Sequence, residues 1–216
     1  MGLFDFFRRP PISRPEPSIL LDIPLFPLNT VLFPGGLLPL KVFEQRYLDM
    51  AAACMKEGRP FGVCLIDQGT EVAEPGSGAA TPHPVGTLAD IVAWDMEQLG
   101  ILQLTVRGGQ RFRIIESRSE PDALLRARVR LYPEDEPVPL PPERQRLVPL
   151  LQRVVSDQGP ERVPEPHAFA DAAWVGYRLT EILPVQNLAK QKLLELEDAL
   201  TRLEILEKFL DQRRLL

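Results

Sequence analysis

Histidine, cysteine and long apolar runs are all scarce in this chain of 216 residues, and each shortage argues against a class of function. No apolar run approaches the roughly 20 residues that span a bilayer, so we expect no membrane helix. Cys54 and Cys64 form no disulfide framework, and they fit best as buried core residues in a reducing cytoplasm. Together with His83 and His167 they lack the close spacing that seeds a zinc site, so the sequence predicts no bound metal.

Catalytic motifs are missing as well. No glycine directly precedes a lysine, so the phosphate-binding loop of the ATPases is absent. None of the six serines lies in a G-x-S-x-G context or close in sequence to a lysine. The sequence therefore predicts a protein that is not an enzyme and has no cofactor. A hydrolase that uses His83 or His167 remains an alternative, because acid and base partners meet in space rather than in sequence.

Residues 1–18 differ from the rest of the chain, because a short apolar start is followed by four prolines. Asp5 interrupts that start, which argues against a secretory signal. Phe6 stands where a myristoylated protein has serine or threonine. We therefore expect an extended N-terminal arm. It is either a flexible tail or a segment that docks through its phenylalanines, Phe4, Phe6 and Phe7.

The remainder of the chain changes its hydrophobic period at a proline-rich stretch, residues 134–142. Strand-like patterns come before it, with one helix over Glu44–Lys56 that Gly58 closes. A glycine- and alanine-rich segment between Asp67 and Val85 is typical of a hairpin tip. The predicted strands are Phe61–Asp67, Val85–Met96, Ile101–Arg107, Arg111–Ser117 and Leu124–Tyr132.

Three helices are predicted after this stretch. The first has Pro149 inside it, which indicates a kink or a late start, and its apolar face is formed by Leu147, Leu150, Leu151, Val154 and Val155. The second runs from about Pro166 to Leu183, and the third from Val185 to the C-terminus. The third has an apolar stripe that we assign to the core rather than to a dimer seam, so we expect a monomer or a weak dimer. The stripe is Ala189, Leu193, Leu196, Leu200, Leu203 and Leu210, and the exposed pairs beside it are Asp198–Arg202 and Glu204–Lys208.

Residues 24–47 are the most informative stretch, with short apolar runs that four prolines interrupt. Each proline removes a backbone donor, which predicts an edge strand. Phe33-Pro34-Gly35-Gly36 predicts a type II turn, since proline presets φ at the second position and glycine accepts a positive φ at the third. A second strand over Leu37–Val42 then leads into the first helix.

This stretch resembles the opening of the Lon N-terminal domain, the substrate-binding region of the ATP-dependent Lon proteases, which also occurs in cereblon and in stand-alone bacterial proteins. Val85-Gly86-Thr87-Leu88-Ala89 is similar to the family's central strand, and residues 108–114 to its G-x-x-R-F-x-I strand. Leu183-Pro184 and the run from Lys190 resemble its last helix. The resemblance continues in the family's order from about Ile23 to Leu210.

The resemblance implies an α+β fold, in which an N-terminal PUA-like β-barrel with one helix is followed by a C-terminal helical bundle. We divide the chain into an extended arm at 1–18, the barrel at 19–133, a proline-rich linker at 134–142 and the bundle at 143–216. The 216 residues leave no room for the ATPase and peptidase parts of a complete Lon protease. The expected protein is therefore a non-catalytic module.

Its expected function is recognition of unfolded or tagged polypeptides and their presentation to a proteolytic or quality-control partner. Exposed apolar side chains in a groove between barrel and bundle, and an exposed sheet edge, are the expected contact surfaces. The alternative is an adaptor with one dedicated folded partner, as the domain's occurrence in cereblon implies. The candidate site residues match the family's F-E-x-R-Y pattern and either shape a binding surface or fix the helix start by an ion pair; they are Phe43, Glu44, Arg46 and Tyr47.

Because many PUA domains bind RNA, two sets of alternating arginines need an explanation. Each set points to one face of its strand; the sets are Arg111 with Arg113, and Arg126 with Arg128 and Arg130. The formal net charge of −5 argues against a nucleic-acid partner. We expect a solvated outer face instead, with the alternate residues turned inward: Phe112, Ile114, Ala127, Val129 and Leu131.

Overall fold

The computed structural model describes residues 19–71, 80–134 and 136–214, which form a mixed seven-stranded sheet and five α-helices. The predicted arm at 1–18 and residues 72–79 of the predicted hairpin tip lie outside the described residues. The strands are β1 (Leu20–Leu28), β2 (Leu37–Val42), β3 (Phe61–Gln68), β4 (Thr81–Pro82), β5 (Val85–Gln98), β6 (Ile101–Ser119) and β7 (Leu125–Leu131). The helices are α1 (Gln45–Glu57), α2 (Leu147–Gln158), α3 (Ala172–Ile182), α4 (Asn187–Glu195) and α5 (Ala199–Gln212).

The strands pair in the order β1-β7-β6-β5-β3-β4, and β2 pairs with β6. β1 also pairs in parallel with β3, so the pairing returns to the strand at which it began. The prediction of an edge strand is therefore wrong. β1 pairs with β7 along Leu20–Leu25 and with β3 along Leu25–Leu28. Pro24 and Pro27 have no backbone amide to donate to a neighbouring strand. They are tolerated because each half of β1 is registered with one partner strand, so not every amide is needed for pairing.

The predicted type II turn is confirmed by its backbone geometry. Gly35 has a φ of 73°, and the Gly36 amide donates to the Phe33 carbonyl over 3.0 Å. The turn lies against Gly108, in the middle of β6. The Gly35 amide donates to the Gly108 carbonyl over 2.7 Å, and the Gly108 amide donates to the Gly36 carbonyl over 2.8 Å. Two backbone hydrogen bonds therefore join the turn to β6, although the two segments are far apart in sequence.

β6 is one continuous strand, so the separate strands predicted over Ile101–Arg107 and Arg111–Ser117 are wrong. The prediction took the two glycines at 108–109 as a break. They instead allow the turn at Gly35 to approach the strand without ending it. β2, β3, β5, β7 and α1 lie where the alternating and helical patterns predicted them, and Gly58, with a φ of 61°, closes α1.

The first two helices after the proline-rich stretch begin where their caps allow. α2 begins at Leu147, so Pro149 lies in the first turn, where a helical amide has no intrahelical acceptor; the late start is confirmed. α3 is shorter than the predicted Pro166–Leu183, because Asp171 caps it. The Asp171 carboxylate accepts from the amides of Ala173 and Trp174.

The single third helix predicted from Val185 is wrong, because two helices occupy this region. Leu196 has extended backbone angles, φ −68° and ψ 127°, and ends α4. Asp198 then caps α5 by accepting from the Thr201 amide over 2.7 Å. The apolar period continues through the break, which is why the pattern predicted one helix.

Arg202 was predicted to form an exposed pair with Asp198, and this is also wrong. Its side chain is buried, and its guanidinium donates to the Leu193 carbonyl over 3.0 Å. The predicted Glu204–Lys208 pair is present, with 2.6 Å between the charged atoms. Most of the predicted stripe is buried or half-buried in the core, whereas Ala189 is exposed.

One apolar core joins the sheet to the helices. Phe33, Leu65 and Val85 belong to the same buried cluster as the inner faces of α2, α3, α4 and α5. The ring of Phe33 lies 5.8 Å from that of Tyr177 on α3. The order of a mixed sheet followed by helices confirms the α+β class at this level. The domain boundaries at 18, 133 and 142 remain a prediction.

Candidate functional site

Three residues of the F-E-x-R-Y pattern fasten the start of α1. The Arg46 guanidinium lies 2.8 Å from the Glu44 carboxylate and donates to the Ala123 carbonyl over 2.9 Å. It also lies over the ring of Tyr47, 4.6 Å from the ring centre. Tyr47 stacks on Phe26 with 4.1 Å between ring centres, and burial raises the pKa of Tyr47. These contacts fix the start of α1.

Phe43, the first residue of the pattern, is different, because it is 53% exposed. It directly follows β2, whose last residue, Val42, pairs with Leu102 of β6. β5 turns into β6 near that position, since Gln98 pairs with Ile101. Phe43 therefore lies at the end of the sheet that bears the β5–β6 hairpin.

That hairpin carries four large apolar side chains that are exposed to solvent. Trp94 is 62% exposed and Leu99 is 95% exposed, while Val92 and Met96 are about half exposed. Val92, Trp94 and Met96 alternate along β5, the spacing that places side chains on one face of a strand. We call these four residues the hairpin patch. Exposed apolar clusters of this kind are typical of surfaces that bind other proteins.

The second half of β5 also has a free backbone edge. β3 pairs with β5 only at Thr87–Ala89, whereas β6 pairs with β5 as far as Gln98. Within 19–71, 80–134 and 136–214, no strand is registered with residues 90–98 on the side opposite β6. Backbone amides and carbonyls on such an edge are available to a second extended chain. Register shifts near Ile91 and Asp95 interrupt the ladder with β6 and increase its local twist.

A depression of about 360 Å³ crosses three strands beside the hairpin patch. The registers of β2, β6 and β5 place its lining in three rows: Pro39, Thr105 and Ala93; Leu40, Leu104 and Trp94; Lys41, Gln103 and Asp95. Trp94 belongs both to the depression and to the hairpin patch. It therefore connects the exposed apolar surface to a concave one.

A larger groove of about 830 Å³ lies between α1 and the strands β1 and β7. Arg46 lines it, so the F-E-x-R-Y pattern does border a concave surface. The groove has an apolar floor that includes Ile23, Met50 and Leu124. Its rim carries charges of both signs: Asp22, Arg46, Asp49, Glu57, Arg59, Asp122 and Arg126. This mixture favours no particular charge on a ligand.

The two other sequence motifs are internal. A Cβ atom on Gly86 would lie 2.7 Å from the ring of Phe112, and the buried Thr87 hydroxyl donates to the Leu32 carbonyl over 2.7 Å. A Cβ atom on Gly108 would collide with the carbonyl of the Phe33 turn. The glycines allow close packing within the sheet, and Thr87 donates a hydrogen bond to a buried backbone carbonyl. Their role is therefore structural.

The register of β6 and β7 places Arg113 opposite Arg130, on the face that also carries Arg126 and Arg128, and acidic side chains neutralise part of the charge of that face. Arg111, which was predicted to be solvated, is 4% exposed and donates to two backbone carbonyls at the end of α4, because the helices cover this side of β6. Arg126 lies 3.2 Å from the Asp22 carboxylate, and Arg128 lies 3.2 Å from that of Glu116. Hydrogen bonds from arginines, Arg118 first, hold the pKa of Asp22 below its usual value. The inward placement of Phe112, Ala127 and Val129 is confirmed.

The histidines and cysteines are separate from one another. His83 lies 3.6 Å from the Asp67 carboxylate, and His167 lies 3.1 Å from the Val163 carbonyl. Cys54 and Cys64 are free and buried, and burial raises the pKa of both thiols. In the part of the chain that the structure describes, His, Cys, Asp and Glu form no group of three or more suited to a metal ion. Nor does any helix there have the length and apolar character to cross a membrane.

The sequence contained a signal for the hairpin patch. Val92, Trp94 and Met96 alternate with Ala93 and Asp95, as in a strand that is buried on one face. The strand was predicted, but its large apolar residues were not selected as candidate site residues. Their exposure depends on the absence of a covering element, which the pattern does not contain.

Comparison with known proteins assigns the fold to a family. Residues 22–212 match the family model of the ATP-dependent protease La (LON) substrate-binding domain. The crystal structure of a Lon N-terminal domain protein from Xanthomonas campestris is 36% identical in sequence, with a TM-score of 0.72 over 87% of this chain and 98% of that chain.

Two curated relatives match about half of the chain. The Lon protease of Anaeromyxobacter dehalogenans is 32% identical over 121 residues, which are 56% of this chain and 14% of the relative. Protein cereblon of Danio rerio is 32% identical over 117 residues, which are 52% of this chain and 26% of the relative. Because the family model covers most of the sequence and the solved domain shares its fold, this chain belongs to the Lon substrate-binding domain family.

Proposed function

We propose that this protein recognises polypeptide segments through the hairpin patch and the free edge of β5, without catalysing a reaction on them. The observation that carries the proposal is the exposure of Val92, Trp94 and Met96 on a strand whose second half is paired on one side. The family description names substrate binding in a protease, which supports a protein ligand.

An extended segment added to β5 would gain both backbone and side-chain contacts. Its amides and carbonyls pair with the free edge, and this pairing is independent of sequence. Its apolar side chains contact Trp94 and Met96, which offer large apolar surfaces to a ligand. An unfolded chain exposes both kinds of group at once, whereas a folded protein has already used them. The site therefore favours unfolded segments.

The charges on this edge limit what binds. Asp90 precedes the exposed apolar residues on β5 and Asp95 lies between Trp94 and Met96, and charged residues on an edge oppose pairing between copies of the same protein. A segment with basic residues beside its apolar ones would be preferred over an acidic segment.

The groove predicted between barrel and bundle is a second surface in this proposal. We interpret the returning pairing of β1, β7, β6, β5 and β3 as the PUA-like barrel, and α2 to α5 as the bundle. The client bound there is presented to a proteolytic or quality-control partner. Two free buried cysteines support a reducing cytoplasm as the compartment.

A dedicated folded partner is the second candidate, and the cereblon match is what favours it. Such a partner would cover the hairpin patch with a fixed complementary surface. The two candidates differ in what they bind, because an adaptor binds one folded protein and ignores unfolded chains.

The test is fluorescence anisotropy of a labelled, permanently unfolded polypeptide titrated with the purified protein. We expect saturable binding without cleavage, and Trp94→Ala should weaken it about tenfold or more. Leu188→Ala is the matched control, because Leu188 is also exposed but lies on α4. Absence of binding to the unfolded chain, or equal effects of the two substitutions, would contradict the proposal and favour the dedicated partner.

A further inference from the structure

A small cavity of about 290 Å³ lies between the sheet and the helices; it shares Pro39 with the depression beside the hairpin patch but is lined by none of the four residues of that patch. It is near the lower end of the range for small-ligand pockets, about 300–1,000 Å³. Its apolar walls come from Val31, Leu32, Leu37, Leu38, Val163 and Ile182. Its charged side chains are Arg162, Glu181 and Lys190.

Cations outnumber acids around this cavity. The Glu181 carboxylate faces three cationic side chains: Arg178, Lys190 and Arg162. Arg178 is buried, and its guanidinium contacts that carboxylate at 3.1 Å and donates to the Pro34 carbonyl over 2.7 Å. Arg178 and Glu181 therefore compensate each other. Lys190 and Arg162 remain as the cations that line the cavity.

Lys190 and Arg162 repel each other across this space. The Lys190 ammonium donates to the Glu181 backbone carbonyl over 2.8 Å, which leaves two of its three donors for other groups. Burial lowers the pKa of Lys190, the Glu181 carboxylate opposes this effect, and the charge of Arg162 makes a smaller contribution that lowers the pKa. Arg162 is exposed and has no hydrogen-bonded partner for its side chain among the described residues. An anion between the two cations would relieve this repulsion.

We propose that this cavity binds the C-terminal carboxylate of a polypeptide, between Lys190 and Arg162, with the last side chain against the half-buried Ile182. The proposal rests on the proposed function in taking a polypeptide as ligand, but it uses none of the hairpin-patch residues. Apolar walls beside two cations suit an aliphatic residue that carries a single negative charge. Glu181 in the wall disfavours an anion with two charges, such as phosphate.

The experiment compares three short fluorescein-labelled peptides of the same apolar composition. The first ends in leucine with a free carboxylate, the second is the same peptide with a C-terminal amide, and the third is amidated but contains an internal glutamate. We expect the first to bind at least about tenfold more tightly than the others. Equal affinity for the first and second peptides, or for the first and third, would overturn the proposal.

Variants assign the effect to the cavity. Lys190→Gln and Arg162→Gln should each reduce affinity for the free carboxylate towards that of the amide. Arg162 is exposed, so its substitution leaves the fold intact. Lys192→Gln and Arg153→Gln are the matched controls, because these exposed cations lie on α4 and α2 outside the cavity. The proposal is overturned when the controls and the cavity variants have the same effect.

Trp94→Ala separates this proposal from the proposed function. It should leave the affinity ratio between the free and amidated peptides unchanged, because Trp94 does not line the cavity. If the wild-type protein bound the free and the amidated peptides equally but still bound unfolded polypeptide normally, only the cavity proposal would be refuted. If the free peptide bound much more tightly than the amidated one, but Trp94→Ala did not weaken binding of unfolded polypeptide, only the hairpin-patch proposal would be refuted.

Discussion

Glu181 is the residue at which burial and charge compete most directly. Burial raises the pKa of Glu181 from 4.5 to about 7, although Arg178, Lys190 and Arg162 lower it. Since the folded pKa exceeds the ordinary value, the protonated carboxyl stabilises the fold fully below about pH 4.5. That contribution is lost as the pH rises through about 7.

The free energy of unfolding should therefore fall between about pH 4.5 and pH 7, by up to about 3 kcal/mol from this group. Glu181→Gln should flatten this part of the pH profile in urea denaturation. Because glutamine stays neutral, the variant should also be more stable than the wild-type protein at the alkaline end, where Glu181 is ionised. Glu204→Gln, on the exposed face of α5, is the control and should keep the slope. An unchanged slope in Glu181→Gln would contradict the assignment.

A substitution at Gly108 tests the contact between β6 and the turn at Gly35. A Cβ atom at this position meets the Phe33 backbone carbonyl, which has no rotamer by which to move away. We expect Gly108→Ala to lower the free energy of unfolding by about 1–3 kcal/mol. Gly109→Ala is the neighbouring control, because its Cβ would lie 3.3 Å from the flexible Asp90 carboxylate. Thermal unfolding of both variants measures the difference, and equal melting temperatures would show that the turn yields.

At the scale of the element, capping decides where the last helices end. Asp198→Ala removes the acceptor for the Thr201 amide, and we expect a loss of about 1 kcal/mol of stability. Asp198→Asn keeps a capping oxygen and should retain most of that stability. Chemical denaturation followed by circular dichroism measures both variants. If alanine and asparagine proved equivalent, the cap would be energetically unimportant.

The apolar periods of the strands and helices were predictable from the sequence, whereas the boundary between the last two helices was not predicted. The strand pattern and the type II turn depend on local geometry, so the sequence predicted β2, β3, β5, β7 and the turn at Gly35. The break at Leu196 was missed because apolar spacing continued through it. The capping aspartate was the available signal, and it was assigned to an exposed pair with Arg202 instead.

At the scale of the whole molecule, buried arginines connect the sheet to the helices. The Arg111 guanidinium, on β6, donates to the carbonyls of Leu194 and Leu196 over 3.0 and 2.8 Å. Phe33 and Val85 of the sheet side share a core with the helices. We therefore expect the two parts to unfold as one unit, despite the proline-rich stretch between them.

Arg111→Met should lower the free energy of unfolding by about 2–3 kcal/mol, because buried carbonyls lose a charged donor. Native-state hydrogen exchange should show the same loss for slow amides in β6 and in α5. Arg113→Met is the control on the same strand, since Arg113 is exposed. A loss confined to the helices would indicate two independent units and would support the predicted boundary at 134–142.

The candidate site was predicted only in part. Phe43 lies at the end of the sheet that bears the hairpin patch, whereas Glu44, Arg46 and Tyr47 form contacts that fix α1. The residues of the patch were not predicted, and for the cavity beside Lys190 the prediction was only of a groove between barrel and bundle, without its residues. The alternation of Val92, Trp94 and Met96 indicates one face of β5 but not that this face is exposed, and the cavity is lined by residues from several elements.

Three local features of this protein can be read from its sequence alone. They are the change from a period of two to a helical period, the turn that Pro34 and Gly35 impose, and the family motifs. These depend on sterics and on residues that are close in the chain. Which side chains stay exposed depends instead on the packing of distant elements. Trp94 is exposed and Arg111 is buried, although each was assigned to a strand from sequence alone. The physical reason is that burial depends on which distant element packs against a strand, and the strand's own pattern does not record it.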